Sequence, residues 1–359
     1  MSLQRVAVIF GGRSSEHSIS CISAAAVWEA LESGGYEVVP VAITPKAHMV
    51  LYDGRPSDLR AEDLPVVDRG AGAVVIPSDE QGRGLLIDGQ FQPVDVVFPV
   101  LHGPWGEDGT IQGALEMAGL PYVGSGVLAS ALCMDKITLK ALLRAAGIVV
   151  ADWVAIDARS DLEASIERAE NLAPVVFVKP SRAGSSMGIT RLDVTTSDRA
   201  ALAEAIRSAQ GFDPRVIVEA GVIEAREIEC GVRQRADGTL EASEVAEIVV
   251  RGGFDFYDFN AKYVSDGAKL VVPAQLPADV ADRVREIARR CFIEAGCEGL
   301  ARVDFFVRGD DIVVNEVNTM PGFTPISMYP RMWEASGVAY TELVDSLVRE
   351  ALARPAGLR

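Results

Sequence analysis

The chain has 359 residues, of which 49% are hydrophobic and 24% charged. This length predicts two or three packed units. The composition is typical of a globular protein and excludes disordered and collagen-like chains. The formal net charge is −17, which repels phosphate backbones, so nucleic acid is not an expected partner.

The apolar runs of the sequence are too short to predict a signal peptide or a membrane helix. The first apolar run covers only residues 6–10, too short for a signal peptide, and no later run approaches the ~18 residues of a membrane helix. The five cysteines include no C-x-x-C pair, which favours buried thiols over disulfides or zinc. We therefore expect a cytoplasmic protein with no membrane partner.

The hydrophobic pattern predicts an α/β arrangement in the first half of the chain. Its predicted elements are strands at 6–10, 36–43 and 94–101, a helix at 20–31, and helices between 110 and 147 that stop at Gly119 and Gly147. Residues 45–92 contain two weak strands and predict an insertion or an edge hairpin.

The second half begins with the same alternation and then becomes antiparallel. The predicted elements are a helix opened by a capping box at 160–163, a strand at 175–179, a helix at 197–210, strands at 216–219, 227–235 and 240–250, and a helix at 279–295. A β-hairpin and a terminal helix complete the chain. The pattern predicts an α/β fold with an α+β C-terminal part.

The C-terminal hairpin would bring two acids face to face. With residues 309–311 as its loop, Asp304 lies opposite Glu316, and Arg302 lies opposite Asn318 on the same face. Directly opposed like charges are destabilising, so the pair calls for a cation. Asp304, Glu316 and Asn318 offer oxygen ligands that suit Mg²⁺ or Mn²⁺. A solvated polar edge, with Arg302 balancing charge, is the alternative.

The strand at 175–179 delivers Lys179 to a loop of small residues whose backbone amides can hold an oxyanion. The loop is not a Walker A motif, because Gly-Lys never occurs in the sequence. Residues 184–188 match the G-x-S-x-G of hydrolases, but every histidine precedes Ser186, whereas those enzymes need a later one. A flexible linker is the alternative.

Three further stretches have the composition of ligand-binding loops. Residues 11–17 contain Glu16 and residues 102–109 begin with His102, both where open α/β sheets collect ligands. A helix-terminal charge and a surface histidine explain these two residues equally well. Residues 253–263 are rich in aromatic and acidic side chains, which predicts a lid loop or a hydrophobic cluster beneath a loop.

Taken in order, these stretches resemble the D-alanine–D-alanine ligases of the ATP-grasp superfamily. The resemblance is carried by GGRSSEHSIS, HGPWGEDGTIQGALEMAGLPYVGSG, MDK, VKPSRAGSSMG, FYDFNAKY, ARVDFF and NEVNTMPGFTPISMYPRMW. It implies an ATP-grasp fold with an N-terminal Rossmann-like substrate domain over 1–130, a central subdomain over 131–218, and a C-terminal subdomain over 219–359 with the lid and the metal site.

The resemblance also implies an enzyme of peptidoglycan precursor synthesis. One D-alanine carboxylate would attack the γ-phosphate of ATP, and a second D-alanine amine would displace the resulting acyl phosphate. The implied ATP-binding residues are Lys136, Lys179, Ser186, Glu219, Val222, Glu227 and Lys262. Asp304, Glu316 and Asn318 would hold two Mg²⁺ or Mn²⁺ ions. A homodimer is expected from the family.

The same resemblance assigns the two D-alanine sites. Glu16 would engage the first ammonium and His102 would lie beside its carboxylate, while Arg302 and the Gly322 amide would form an oxyanion hole. Ser327 and the Met328 amide would bind the second carboxylate. The residues implied to help deprotonate the second amine, as a hydrogen-bonded triad, are Glu16, Ser185 and Tyr263.

Two other functions are compatible with these motifs. One is an ATP-grasp ligase for another acceptor, such as D-lactate or D-serine; Tyr263 favours an amine acceptor, because relatives that form D-alanyl-D-lactate tend to lack it. The other is a non-catalytic nucleotide-binding regulator. A sensor has no need of Arg302, Ser185 and Tyr263 beside a complete metal set, which argues against the second.

Overall fold

Three β-sheets, with helices packed against them, form the framework of the chain. The structure, a computed structural model, describes residues 3–60, 64–78, 82–184, 186–250 and 268–354. Within these ranges the sheets contain seven, four and five strands. No helix in these ranges is both long and apolar enough to cross a membrane.

The first sheet has the strand order β6-β5-β4-β3-β2-β1-β7. Its strands are β1 (Arg5–Gly11), β2 (Glu37–Ile43), β3 (Met49–Leu51), β4 (Gly72–Val75), β5 (Gly84–Ile87), β6 (Gln90–Pro93) and β7 (Val96–Val100). β1 is parallel to both of its neighbours. The region at 45–92 supplies four short strands that extend this sheet, not the two expected, because strands of three or four half-exposed residues leave little hydrophobic pattern.

The helices lie close to their predicted positions, except that two helices and not one follow the C-terminal hairpin. They are α1 (His17–Ser33), α2 (Thr110–Met117), α3 (Val127–Met134), α4 (Lys136–Ala145), α5 (Leu162–Glu170), α6 (Arg199–Gln210), α7 (Ala278–Glu294), α8 (Met328–Ala335) and α9 (Tyr340–Ala353). Gly119 and Gly147 follow α2 and α4 with φ values of 63° and 73°, so both predicted stops are confirmed. The cap of α5 was placed one residue too early: Asp161 caps the helix, because Ser160 binds Asp157.

The other two sheets are antiparallel throughout. The second, ordered β10-β9-β11-β8, contains β8 (Trp153–Ile156), β9 (Val175–Pro180), β10 (Thr190–Asp193) and β11 (Val216–Ala220). The third, ordered β14-β13-β12-β15-β16, contains β12 (Arg226–Gln234), β13 (Leu240–Val250), β14 (Ala268–Val271), β15 (Leu300–Arg308) and β16 (Asp311–Asn318).

The β15–β16 hairpin keeps the predicted pairing at one end only. Asp304 lies opposite Glu316, but Arg308 lies opposite Asp311, so the loop has two residues and not three. A bulge between these pairs inserts Asn315 into β16 and restores the alignment. The prediction of the loop was therefore wrong, whereas the pairing of the two acids is confirmed.

The last helix packs against the first one. α9 contacts α1 and β7, and its residues Leu343 and Leu347 share one buried cluster with Val8 and Phe98 of the first sheet. Just beyond α9, Arg354 donates a 2.9 Å hydrogen bond to the Gly124 carbonyl. The end of the chain thus completes a core that its beginning started.

Candidate active site

A cavity of about 450 Å³ lies among the three sheets. It is lined by the loop after β7, the start of α4, the strands β9 and β11, and the face of the β15–β16 hairpin that carries Arg302, Asp304 and Glu316. The predicted residues on its wall are Glu16, His102, Lys136, Lys179, Ser186, Glu219, Val222, Glu227, Arg302, Asp304, Glu316, Asn318 and Gly322. Elements distant in sequence therefore converge on one cavity. The predictions for Ser185, Lys262 and Tyr263 lie outside the described residues.

Three acids form a row across the third sheet. Asp304 has Glu316 opposite it on β16 and Glu229 opposite it on β12. Arg302 separates two of them: its guanidinium contacts both oxygens of Asp304 at 2.7 Å, and its Nε lies 3.3 Å from Glu229. The neighbouring carboxylates raise the pKa of Arg302 against the effect of its burial. This guanidinium is therefore a permanent positive charge facing the cavity.

Asp304 and Glu316 fit a divalent cation that takes its other ligands from Asn318 and from a bound ligand. In the described ranges no three His, Cys, Asp or Glu side chains form a complete metal-binding group. Asn318 donates its amide to Asp304 at 3.1 Å, and it can present its oxygen after rotation of the amide. Two carboxylates and one amide oxygen match the ligands of a hard divalent ion that also binds a ligand's oxygens.

Helix α4 begins at the cavity and aims Lys136 across it. Asp135 caps the helix by accepting from Thr138 at 3.1 Å and is itself fixed by Ser181 at 2.9 Å. The Lys136 ammonium donates to the Ala183 carbonyl at 2.9 Å and lies 3.5 Å from Glu316. Lys136 therefore lies between the small-residue loop and Glu316. An anionic ligand bound between these two would contact the Lys136 ammonium.

Glu16 reaches the cavity from the start of α1, although its side chain does not cap that helix. Two glycines allow its approach: a Cβ on Gly103 would lie 2.8 Å from its carboxylate, and a Cβ on Gly184 would lie 2.9 Å from it. Gly103 also has a φ of 75°, which favours glycine. The backbone of two loops therefore borders this acid closely.

His102 is buried, and both of its ring nitrogens have partners. Nδ1 lies 3.2 Å from the Met320 carbonyl and Nε2 lies 3.1 Å from the Ser23 hydroxyl. Since the carbonyl can only accept, Nδ1 carries the proton and Nε2 accepts from Ser23. Burial lowers the pKa of His102, consistent with a neutral ring that joins α1 to the loop after β16.

That loop holds the remaining predicted substrate contacts. A Cβ on Gly322 would lie 2.9 Å from the Ser327 hydroxyl, so the two residues are close neighbours. Ser327 also accepts a 3.1 Å hydrogen bond from the Thr324 amide. The Met328 side chain is buried in the core, and its amide belongs to the first turn of α8. Ser327 and Met328 are not among the described residues that line the cavity.

Glu107 is a cavity residue that the sequence analysis missed. Its carboxylate accepts from the Gly103 amide at 2.7 Å and from the Met320 amide at 3.3 Å, which ties two cavity loops together. Burial, and secondarily the charge of Glu16, raises the pKa of Glu107 to about 8. The neighbouring Asp108 accepts hydrogen bonds from the Trp105 and Thr110 amides at 2.8 and 3.0 Å, and sequence alone does not distinguish the two acids.

Glu107→Gln is expected to remove a pH dependence of stability. Between its ordinary pKa of 4.5 and about 8, the folded chain holds a proton on Glu107 that the unfolded chain has lost. The free energy of unfolding of the wild type therefore falls as pH rises, by about 1 kcal/mol between pH 7 and pH 8 from this group. Denaturant unfolding of both proteins at the two pH values measures this change. An equal change in the free energy of unfolding of the wild type and the variant would contradict the prediction.

The family models match nearly the whole chain. The model described as the N-terminus of D-ala D-ala ligase matches residues 5–125, and the model of its C-terminus matches residues 142–349. The chain belongs to the D-alanine–D-alanine ligase family. A D-alanine–D-alanine ligase of Mycobacterium sp. (strain JLS) is 53% identical to it, over 99% of this chain and 98% of that protein.

Solved structures of the D-alanine–D-alanine ligase family have the same fold. VanG D-Ala:D-Ser ligase from Enterococcus faecalis superposes with a TM-score of 0.85 at 36% identity, covering 98% of this chain and all of that one. The Bacillus anthracis D-alanine–D-alanine ligase complexed with ATP gives 0.71 at 28% identity, with 97% of both chains covered. The predicted ATP-grasp fold is thus confirmed, and with it a family of ATP-using ligases.

Proposed function

We propose that this chain is an ATP-dependent ligase that joins two D-alanine molecules for peptidoglycan precursor synthesis, releasing ADP and phosphate. The full-length similarity to D-alanine–D-alanine ligases supports it. The observation that carries the mechanism is the convergence on one cavity of Arg302, the opposed acids Asp304 and Glu316, and the cations Lys136 and Lys179. A carboxylate becomes an electrophile there by accepting a phosphoryl group.

The nucleotide would occupy the side of the cavity between the second and third sheets. Lys136 and Lys179, with Lys262 from outside the described residues, would bind its phosphates. Glu219 and Glu227 would bind the adenine and the ribose, and the other proposed nucleotide contacts are Val222 and, in the small-residue loop, Ser186. Asp304, Glu316 and Asn318 would hold two Mg²⁺ or Mn²⁺ ions, which when bound neutralise the charge that builds up on the phosphates.

The two amino acids would lie between that nucleotide and the first sheet. Glu16 would bind the first ammonium, beside His102, whose neutral ring avoids placing a further charge there. The γ-phosphoryl group moves to the first carboxylate, and the second amine then attacks the acyl carbon. This attack would give a tetrahedral intermediate, from which phosphate then leaves. Arg302 and the Gly322 amide would stabilise the oxyanion of this intermediate.

The second amino acid needs its own contacts. Ser327 and the Met328 amide would bind its carboxylate, supported by the position of that amide in the first turn of a helix. Ser185 and Tyr263 would join Glu16 in directing the proton away from the attacking amine. An amine acceptor is therefore proposed over D-lactate.

ADP release in a coupled assay with D-alanine, D-serine, D-lactate and L-alanine tests the proposal. Turnover is expected to require ATP, Mg²⁺ and D-alanine, and product analysis is expected to give D-alanyl-D-alanine. Release with D-alanine plus D-serine in preference to D-alanine alone would assign the acceptor named for the VanG structure. ATP binding without turnover would indicate a regulator.

We further propose three units over 1–130, 131–218 and 219–359, each centred on one of the three sheets, and a homodimer in the cytoplasm. All five cysteines are free and buried, which suits a reducing compartment. Size-exclusion chromatography with light scattering tests the dimer. The proposed partners are ATP and D-alanine, without nucleic acid or membrane.

A further inference from the structure

We propose that Lys140 is a positioning residue for nucleotide binding. It would supply the counter-charge that holds Glu219 in place while Lys179 turns from Glu219 towards a phosphate. This inference rests on the proposed function, in which Glu219 faces the adenosine and Lys179 faces the phosphates.

Lys140 and Lys179 converge on one buried carboxylate. The Lys140 ammonium contacts one oxygen of Glu219, and the Lys179 ammonium lies 2.5 Å from the other. The side chain of Lys140 is only 1% exposed and that of Glu219 only 4%. Burial alone would raise the pKa of Glu219, but the two ammonium groups lower it to about 2. Burial lowers the pKa of Lys140, and the charge of Glu219 opposes that shift. The contacts on both oxygens make Glu219 an anion between two cations.

Helix α4 separates the roles of its two lysines. Lys136 and Lys140 lie one turn apart on the same face of the helix. Lys136 lines the cavity, as Lys179 and Glu219 do, whereas Lys140 is not among the described lining residues. Lys140 is thus set back from the cavity wall and contacts a lining residue through the carboxylate of Glu219.

The charges explain why two lysines are needed. Breaking a buried ion pair by removing one partner is costly, because the remaining charge is left without compensation. When Lys179 turns towards a phosphate, Glu219 remains paired with Lys140, so no buried charge is stranded. Without Lys140, Glu219 would retain Lys179, and the nucleotide would lose that cation.

The test is the affinity of the full-length chain for ATP in the presence of Mg²⁺, measured by calorimetry. Lys140→Met keeps an unbranched chain of similar length and removes the charge; it is expected to raise the Kd about tenfold, with kcat at saturating ATP changed less than about threefold. Lys140→Arg, which keeps the charge, is expected to recover part of the affinity. An unchanged Kd in Lys140→Met overturns the proposal.

A double-mutant cycle separates charge from packing. Glu219→Gln removes the anion, so adding Lys140→Met to it is expected to change the Kd by less than about twofold. A further tenfold loss in that background would show that Lys140 acts by packing, and would overturn the proposal. The same pair serves if Lys140→Met alone does not fold, since the double variant leaves no unpaired carboxylate at 219.

Failure of the two proposals looks different in this experiment. A wild-type chain that does not bind ATP overturns the proposed function and this inference with it. A wild-type chain that binds ATP, beside a Lys140→Met variant that binds it equally well, overturns only the inference about Lys140.

Discussion

Glu316→Gln is expected to lower kcat for ATP- and D-alanine-dependent ADP release by roughly a thousandfold, the equivalent of about 4 kcal/mol. The amide keeps the volume of the carboxylate but removes its charge, which faces Asp304 across the hairpin and lies 3.5 Å from Lys136. A divalent ion held by this side chain would keep at most a neutral amide oxygen in place of a charged ligand, and it would lose half of its opposed acid pair.

Asp311→Asn provides the matched control for this substitution. It makes the same chemical change on the same strand, at the far end of the hairpin, where the Asp311 side chain is 72% exposed. We expect wild-type turnover from it and an unchanged thermal midpoint for both variants. Normal activity of Glu316→Gln at ordinary Mg²⁺ concentrations would refute the role given to the acid row.

Arg302→Lys is the second substitution with a large expected effect. Lysine keeps the positive charge between Asp304 and Glu229, so the fold is not left with unpaired acids. It loses the planar fork that contacts both Asp304 oxygens and would face a developing oxyanion. Removal of one such donor costs about 10²–10³ in rate, and we expect kcat to fall by about that factor.

The two kinetic constants distinguish this effect from a loss of nucleotide binding. For Arg302→Lys, kcat is expected to fall while KM for ATP changes less than about threefold, because the guanidinium would act in the transition state. Arg308→Lys, on the same strand with a side chain 56% exposed, is the control. A variant whose defect is entirely in KM for ATP would argue against an oxyanion role.

The sequence predicted the pairing of two acids on the C-terminal hairpin for a reason that was only partly correct. Simple alternation and a three-residue loop place Asp304 opposite Glu316; the actual hairpin has a tighter loop and an extra residue, Asn315, and these two deviations cancel. A bulge depends on how β16 packs against its neighbours, and no local pattern in the sequence marks it. The pairing of the acids was therefore predictable, whereas the course of the strand was not.

Residues that act through other side chains were the least predictable part of the site. Glu107 has a raised pKa because the fold surrounds it, and Lys140 matters because β11 brings Glu219 to it. Such contacts join segments far apart in the chain, so spacing along the sequence carries no signal for them. Single cavity residues on recognisable motifs, such as Glu16, were accessible to sequence analysis.

The contact between the first and last helices bears on how the chain is made. On the ribosome, the strands of the first sheet emerge long before α9, whose leucines fill the same apolar cluster as Val8 and Phe98. Early during translation this cluster lacks its cover and exposes apolar surface. The segment that forms α9 must therefore be synthesised before this face of the first sheet acquires its native packing, whereas the cluster on the opposite face consists only of residues between 7 and 122.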